Sequence, residues 1–256
     1  DPGVSTRPDE FTRRGVDSLS PGYHVLGEHQ RGGAAEYIAI PADNLAAIPD
    51  GFDFSRAAAP LLVALTAWRM LIHQAGLQAG ESVLVVGSGG GVNSTAVQIA
   101  KLAGAVVYVV AGGPEKAKRA EALGADYVLD RTSVDWSREI YKMTGRRGVD
   151  VVVDNVGQAT LNASMMAVAR GGRIVIVGNT SGPKAEIDIR FIFGKQISLI
   201  GSTMGSHQDF RDVLDLIWSR RIEPIIDREL PLSQGKEAYA IMERGEMFGK
   251  IVLLPE

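Results

Sequence analysis

The chain has 256 residues, a formal net charge of −3 and no cysteine. That length holds one large α/β domain, or one domain plus part of another, with core enough to need no disulfide or metal staple. The missing cysteines exclude a disulfide framework, an iron–sulfur cluster, a thiolate nucleophile and cysteine-ligated zinc. The mildly acidic balance gives no electrostatic case for nucleic acid or a membrane as partner.

Residues 1–20 are polar and charged, with Pro2, Gly3, Pro8 and Gly15, and read as an irregular lobe. They hold no apolar core of a secretory signal, and the first residue is Asp1 rather than Met, so a processed or truncated chain is expected. Next come two short β-like runs, His24-Val-Leu-Gly and Tyr37-Ile-Ala-Ile, punctuated by Gly32-Gly33, Pro41, Pro49 and Gly51. This stretch is too short to close its own sheet and reads as the remainder of a β-rich domain. Residues 57–74 predict a long apolar helix. Its longest apolar run, 57–68, contains Pro60 and stops at Arg69, short of the ~20 residues that cross a bilayer. A soluble, cytoplasmic protein is expected.

From there apolar runs of strand length alternate with helices. Strands are predicted at 82–86, 106–110, 127–129, 149–153, 173–177 and 198–202. Helices are predicted at 92–102, 114–123 (Pro114 opening it), 134–143 and 159–169. Phe210, Val213, Leu214, Ile217 and Trp218 then fall on one helical face. The alternation predicts a parallel sheet covered on both faces, an α/β doubly wound fold of Rossmann type.

The segment Val86-Gly87-Ser88-Gly89-Gly90-Gly91-Val92-Asn93 lies between a buried strand and a helix, the context a dinucleotide-binding loop requires. Small residues let the backbone approach a pyrophosphate, and the helix start offers unpaired N–H groups and the positive dipole end. Read so that the motif ends where the helix begins, its three positions are Ser88, Gly90 and Asn93. Only the middle one is glycine, so a Gly-rich turn without ligand stands beside the nucleotide reading. At the end of the second strand a carboxylate would bind the ribose diol of NAD. Here that position is Ala111, with Lys116 and Arg119 one turn into the next helix. The missing carboxylate and the nearby cations favour NADP, NAD remaining possible. As ordinary charge mixing, Glu115 and Glu121 pull Lys116 and Arg119 toward a solvated face.

These residues carry a family resemblance. GEH (27–29), GGAAEY (32–37), LTAW (65–68), AVQIAKLAGA (96–105), ALGAD (122–126), GVDVVVDNVG (148–157), GGRIVIVG (171–178), GSTMGS (201–206) and FGKIVL (248–253) occur in order along nearly the whole chain. Together they resemble the medium-chain dehydrogenase/reductase superfamily, which includes zinc alcohol dehydrogenases and zinc-free quinone oxidoreductases. The resemblance implies a β-rich, co-chaperonin-like catalytic domain whose first half would precede residue 1. It divides the chain into a catalytic-domain remnant (1–55), a dinucleotide-binding domain (56–205) and a last part (206–256) that ends that domain and returns to the catalytic one. A third catalytic-zinc ligand would align with Leu62, which binds no metal. Four structural-zinc cysteines would align with Thr6, Asp9, Thr12 and Ser20; all four thiolates are gone, and Thr and Ser are poor zinc ligands at neutral pH, where structural sites favour thiolate or imidazole. No zinc is expected.

Carried over position by position, Ser88, Gly89, Gly90, Gly91, Val92 and Asn93 would cradle the pyrophosphate. Lys116 would approach the adenosine phosphate. Asn155, Val156, Gly178 and Asn179 follow strand ends where the dinucleotide crosses the sheet. Ser202, Thr203 and Met204 would border the nicotinamide amide, and Thr66 its ribose. The resemblance also implies a homodimer formed along the strand at 198–202. No catalytic residue is selected. Tyr23 and Tyr37 are candidate proton donors that no spacing singles out, and His24, His29, His73 and His207 form no visible ligand set. The expected function is NADPH-dependent, zinc-independent hydride transfer to an enone, quinone or carbonyl. The alternatives are a zinc alcohol dehydrogenase with upstream ligands and a non-catalytic dinucleotide-binding protein.

Overall fold

A computed structural model describes residues 1–256. In chain order its strands and helices are β1 (Gly3–Ser5), α1 (Glu10–Arg13), β2 (Tyr23–Val25), α2 (Phe54–Ala58), α3 (Leu61–Trp68), β3 (Ser82–Val86), α4 (Gly91–Leu102), β4 (Val106–Ala111), α5 (Pro114–Ala122), β5 (Tyr127–Asp130), α6 (Trp136–Met143), β6 (Val149–Asp154), α7 (Leu161–Ala167), β7 (Val168–Ile176), α8 (Ile189–Lys195), β8 (Ser198–Gly201), α9 (His207–Trp218), β9 (Ile226–Pro231), α10 (Gly235–Glu243) and β10 (Lys250–Leu254). Two compact units result: Asp1–Trp68 with Thr203–Glu256, and Arg69–Ser202.

The unit Arg69–Ser202 holds one six-stranded sheet in the order β5-β4-β3-β6-β7-β8, every neighbouring pair parallel. This is the predicted doubly wound Rossmann-type sheet. Val83, Leu84 and Val85 of β3 and Val151, Val152 and Val153 of β6 are fully buried. A strand covered on both faces has no polar side to show, which is why the sequence reads as continuous apolar runs. Strand order reverses between β3 and β6, and in such sheets ligands bind outside the carboxyl ends at that point.

In the other unit β1 and β2 pair antiparallel, and β9 and β10 pair parallel. Its core joins Ala64 and Leu65 of α3 to Phe210, Val213, Leu214 and Ile217 of α9, the face the sequence periodicity marks. That packing places residues 56–68 and 203–205 here, whereas the sequence reading puts them in the dinucleotide-binding domain; 206–256 lies wholly in this unit.

Several elements differ from expectation. Residues 37–40 form no strand. The predicted helix at 57–74 is broken after α2, where Pro60 lacks the N–H a continuing helix needs, and its last part, Arg69–Gln74, is a π-helical stretch. The helical stretch Phe54–Gln74 is longer than the apolar run suggests, 21 residues and by length and composition enough to cross a bilayer, but 67 % of its apolar 18-residue window is buried within the protein. The helix expected from 159 to 169 stops at Ala167, and β7 begins at Val168. Six elements escape the sequence reading: β1, α1, α8, β9, α10 and β10.

Candidate functional site

The glycine loop lies at the carboxyl end of β3, beside the point where strand order reverses. Gly87 takes φ +94°, a conformation only glycine adopts without strain. Gly90 is the N-cap of α4 and supplies no side chain to it. A Cβ on Gly90 would meet nothing within 4 Å, so open space lies in front of the helix start. No acidic residue stands in the first turn. The leading N–H groups of α4 and its positive dipole end therefore face outward without a side-chain acceptor, the chemistry that holds a phosphate. Ser88 is buried, and its Oγ donates to the Lys116 carbonyl at 3.5 Å. That ties the loop to α5 through main chain. Gly89, Gly91 and Val92 complete the loop.

Asn93 behaves differently from expectation. It is 8 % exposed, and its side chain turns back into the protein. Nδ2 donates to the carbonyls of Val86 and Gly87, each at 3.0 Å, and Oδ1 accepts from Asn155 Nδ2 at 2.6 Å. Its amide is engaged within the fold and not turned outward with the loop.

The loop after β6 is held by a buried carboxylate. Asp154 is fully buried and accepts from Val156 N–H (3.0 Å), Gly157 N–H (3.1 Å), Thr160 Oγ1 (2.7 Å) and Ser164 Oγ (2.7 Å). This fixes the turn that carries Asn155 and Val156. Gly178 must be glycine for space, since a Cβ there would come 2.9 Å from the Asn155 carbonyl oxygen. Asn179 follows it, exposed. Ser202, at the end of β8, is buried with its Oγ unpartnered. An unmet buried hydroxyl costs about 1–3 kcal/mol, which a ligand amide would offset.

At the end of β4 the structure adds a residue the sequence reading missed. A Cβ on Gly112 would lie 3.2 Å from Nε and 3.3 Å from Nη2 of Arg131. Arg131 follows β5, and its N–H donates to the Ala111 carbonyl at 3.0 Å. Asp130 braces this corner. Its carboxyl lies below the ordinary range because Thr132 N–H and Oγ1 donate to it, with Gly113 N–H also donating and Arg131 nearby. The exposed guanidinium thus sits against the glycine pair after Ala111. The available sequence signal was a cation one residue past the third sheet strand.

Thr66, Thr203 and Met204 belong to the other compact unit. Thr66 is buried, and its Oγ1 donates to the Leu62 carbonyl at 2.8 Å and approaches Met204 Sδ at 3.8 Å. Met204 adopts φ +47°, an uncommon conformation for a side chain of its size. Tyr37 is 91 % exposed, and Tyr23 lies in β2. His24 Nδ1 pairs with the Gly22 carbonyl, and His29 Nδ1 accepts from Val25 N–H, both at 3.1 Å.

Thr6, Asp9, Thr12 and Ser20 form hydrogen bonds among themselves and with nearby main chain. Asp9 caps α1 by accepting from Phe11 N–H and Thr12 N–H, each at 2.9 Å, and Thr12 Oγ1 accepts from Asp9 N–H. Thr6 Oγ1 donates to the Gly22 carbonyl, and Ser20 Oγ accepts from Gly22 N–H. The first bond holding the Asp9 carboxyl below its ordinary range comes from Ser20.

Comparison with known proteins agrees with this geometry. The model for "Zinc-binding dehydrogenase" matches residues 91–219. The quinone oxidoreductase of Pongo abelii is 33 % identical over 233 residues, covering 87 % of this chain and 69 % of its own length. A solved NAD-dependent alcohol dehydrogenase superposes with TM-score 0.94 at 40 % identity, covering 98 % of this chain and 74 % of that one. The structure of a 2-octenoyl-CoA carboxylase reductase in complex with NADP and 2-octenoyl-CoA gives 0.89 at 27 % identity, covering 95 % and 59 %. The doubly wound sheet together with these relatives marks the chain as an NAD(P)-dependent oxidoreductase. The chain belongs to the medium-chain dehydrogenase/reductase superfamily.

Proposed function

We propose that the protein is an NADPH-dependent, zinc-independent reductase that passes hydride to an enone, quinone or carbonyl. The observation that carries this reading is the corner after β4: Ala111 supplies no carboxylate for a ribose diol, and Arg131 lies against Gly112. A 2′-phosphate there would meet the Arg131 guanidinium, with the Asp130 carboxylate already engaged by Thr132 and by Gly113 N–H. Lys116, on the adjacent first turn of α5, adds a second cation. The bound nicotinamide supplies the hydride. The chain's own residues bind and orient it: the α4 start and residues 88–92 hold the pyrophosphate, residues 155–156 and 178–179 border the crossing, and the Ser202 hydroxyl receives an amide partner. Thr66, Thr203 and Met204 are proposed for the nicotinamide side. The zinc-free part of the reading is supported by Leu62 and by the engaged hydroxyls and carboxyl of Thr6, Asp9, Thr12 and Ser20. We also propose a homodimer along β8, an edge strand that pairing would cover.

The NAD alternative draws on a solved relative named as NAD-dependent, and one experiment separates the two. Steady-state rates with NADPH and NADH on a panel of enones, quinones and aldehydes should favour NADPH. Arg131→Ala should then lower kcat/KM for NADPH by about ten- to hundredfold, the worth of a charge-assisted bond, and leave NADH nearly unchanged. Ala111→Asp should move the preference toward NADH. A wild type that prefers NADH, or a ratio insensitive to both changes, overturns the NADPH reading. One tightly held, activity-linked zinc per chain, found by metal analysis, overturns the zinc-free part.

A further inference from the structure

A dinucleotide-binding loop ordinarily ends on a third glycine, because the helix passes close to the strand there. This chain has Asn93, and that side chain has to be accommodated. Gly87 makes room: it has no Cβ, and one placed there would lie 3.0 Å from Asn93 Nδ2. Both donors of the Asn93 amide go to the carbonyls that close β3, those of Val86 and Gly87, and its oxygen accepts from Asn155, just after β6. Asn155 Oδ1 in turn accepts from Val177 N–H at 3.3 Å, just after β7. The Asn155 main-chain carbonyl accepts from Thr180 N–H at 3.4 Å and Thr180 Oγ1 at 3.3 Å. One side chain in the first turn of α4 is thereby linked through a second amide to the carboxyl ends of three adjacent strands.

Resting on the dinucleotide reading above, we propose that Asn93 and Asn155 are a pair of positioning residues whose amide relay sets the distance between the pyrophosphate loop and the loop at 177–180. The relay acts through the main chain it holds. A ligand that touches both loops gains from having their spacing fixed beforehand, while a ligand that touches only the first gains nothing. The relay therefore favours the whole dinucleotide over its adenosine half.

The test uses the full chain with Asn93→Gly, which restores the ordinary glycine and keeps the loop's path, and Asn155→Asp, which loses the donor to Asn93 but keeps the acceptor for Val177. Each variant should weaken NADPH binding, read by nucleotide fluorescence, by about tenfold, as one lost buried hydrogen bond would. Binding of 2′,5′-ADP should change by under about twofold. The double variant should be no worse than either single one, because both break the same relay. Without any cofactor, amide hydrogen exchange at 176–180 should speed up in Asn93→Gly, although the substitution lies in α4. Unchanged exchange there, or equal weakening of NADPH and 2′,5′-ADP, overturns the relay. A wild type that binds neither NADPH nor NADH overturns the dinucleotide reading, and the positioning role with it; normal wild-type binding with unchanged exchange in Asn93→Gly overturns the relay alone.

Discussion

Two aspartates do the same local job in two regions of the molecule. Asp9, in the lobe before β2, accepts from the N–H groups two and three residues ahead. Asp154, at the end of β6, accepts from the N–H groups two and three residues ahead as well, and each carboxyl also takes hydroxyl donors. The motif is one; the surroundings differ. Asp154 is fully buried, while Asp9 is only partly buried. Water reaches the Asp9 carboxyl more readily than the Asp154 carboxyl, which is fully buried. The value of a polar turn therefore follows from where the fold puts it, not from its residue pattern.

That contrast breaks first at Asp154. Asp154→Ala leaves two partly buried N–H groups and two hydroxyls, one of them on the fully buried Ser164, without their shared acceptor. It should cost about 3 kcal/mol, seen as a lower urea midpoint at unchanged slope. Asp154→Asn keeps one carbonyl oxygen for Val156, Gly157 and Thr160 and should cost about 1 kcal/mol. If alanine and asparagine prove equally mild, burial is not what gives this turn its weight.

Asp150 lies between the two extremes and tests the gradient by pH. Burial pushes its carboxyl up. Hydrogen bonds from the Arg147 guanidinium and from Ser82 N–H and Oγ outweigh that and bring it down to about 2. Because the folded value lies below the ordinary 3.8, its contribution is fully present above pH 4 and is lost as pH falls toward 2. The stake is about 2 kcal/mol. Wild-type stability should decline across that window, and Asp150→Asn should start lower and decline less. Parallel curves for the two proteins would remove Asp150 from the acid response.

The same contrast explains what the sequence made legible. Strands β3, β4 and β6 are buried on both faces, so their apolar runs stand out, and α9 shows one buried face at helical spacing. Helix α8 buries no residue, and β9 is partly exposed along its length, so neither leaves a pattern. In the site, the glycine loop was readable because backbone approach demands small residues in a row. Arg131 was not, because it meets Gly112 only through the pairing of β4 with β5. Asn93 looked like a decayed glycine, since a hydrogen bond to Asn155, 62 residues away, has no local signature.

The smallest effect belongs to the lobe. Asp9→Ala removes the cap of α1, but the freed N–H groups turn to water, so the global midpoint should shift less than for Asp154→Asn. The shift should be confined to faster amide exchange over residues 9–20. Asp9 is already ionised well below neutrality because Ser20 and the Thr12 and Phe11 N–H groups donate to it, so its part in the lobe should not change between pH 6 and 8. Hard hydroxyl donors leave zinc little to bind, and added zinc or a chelator should leave the melting temperature where it was. A zinc-dependent rise in that temperature, abolished by Asp9→Ala, would mean that the lobe keeps a metal site as well as its spacing, and that its polar side chains are ligands before they are caps.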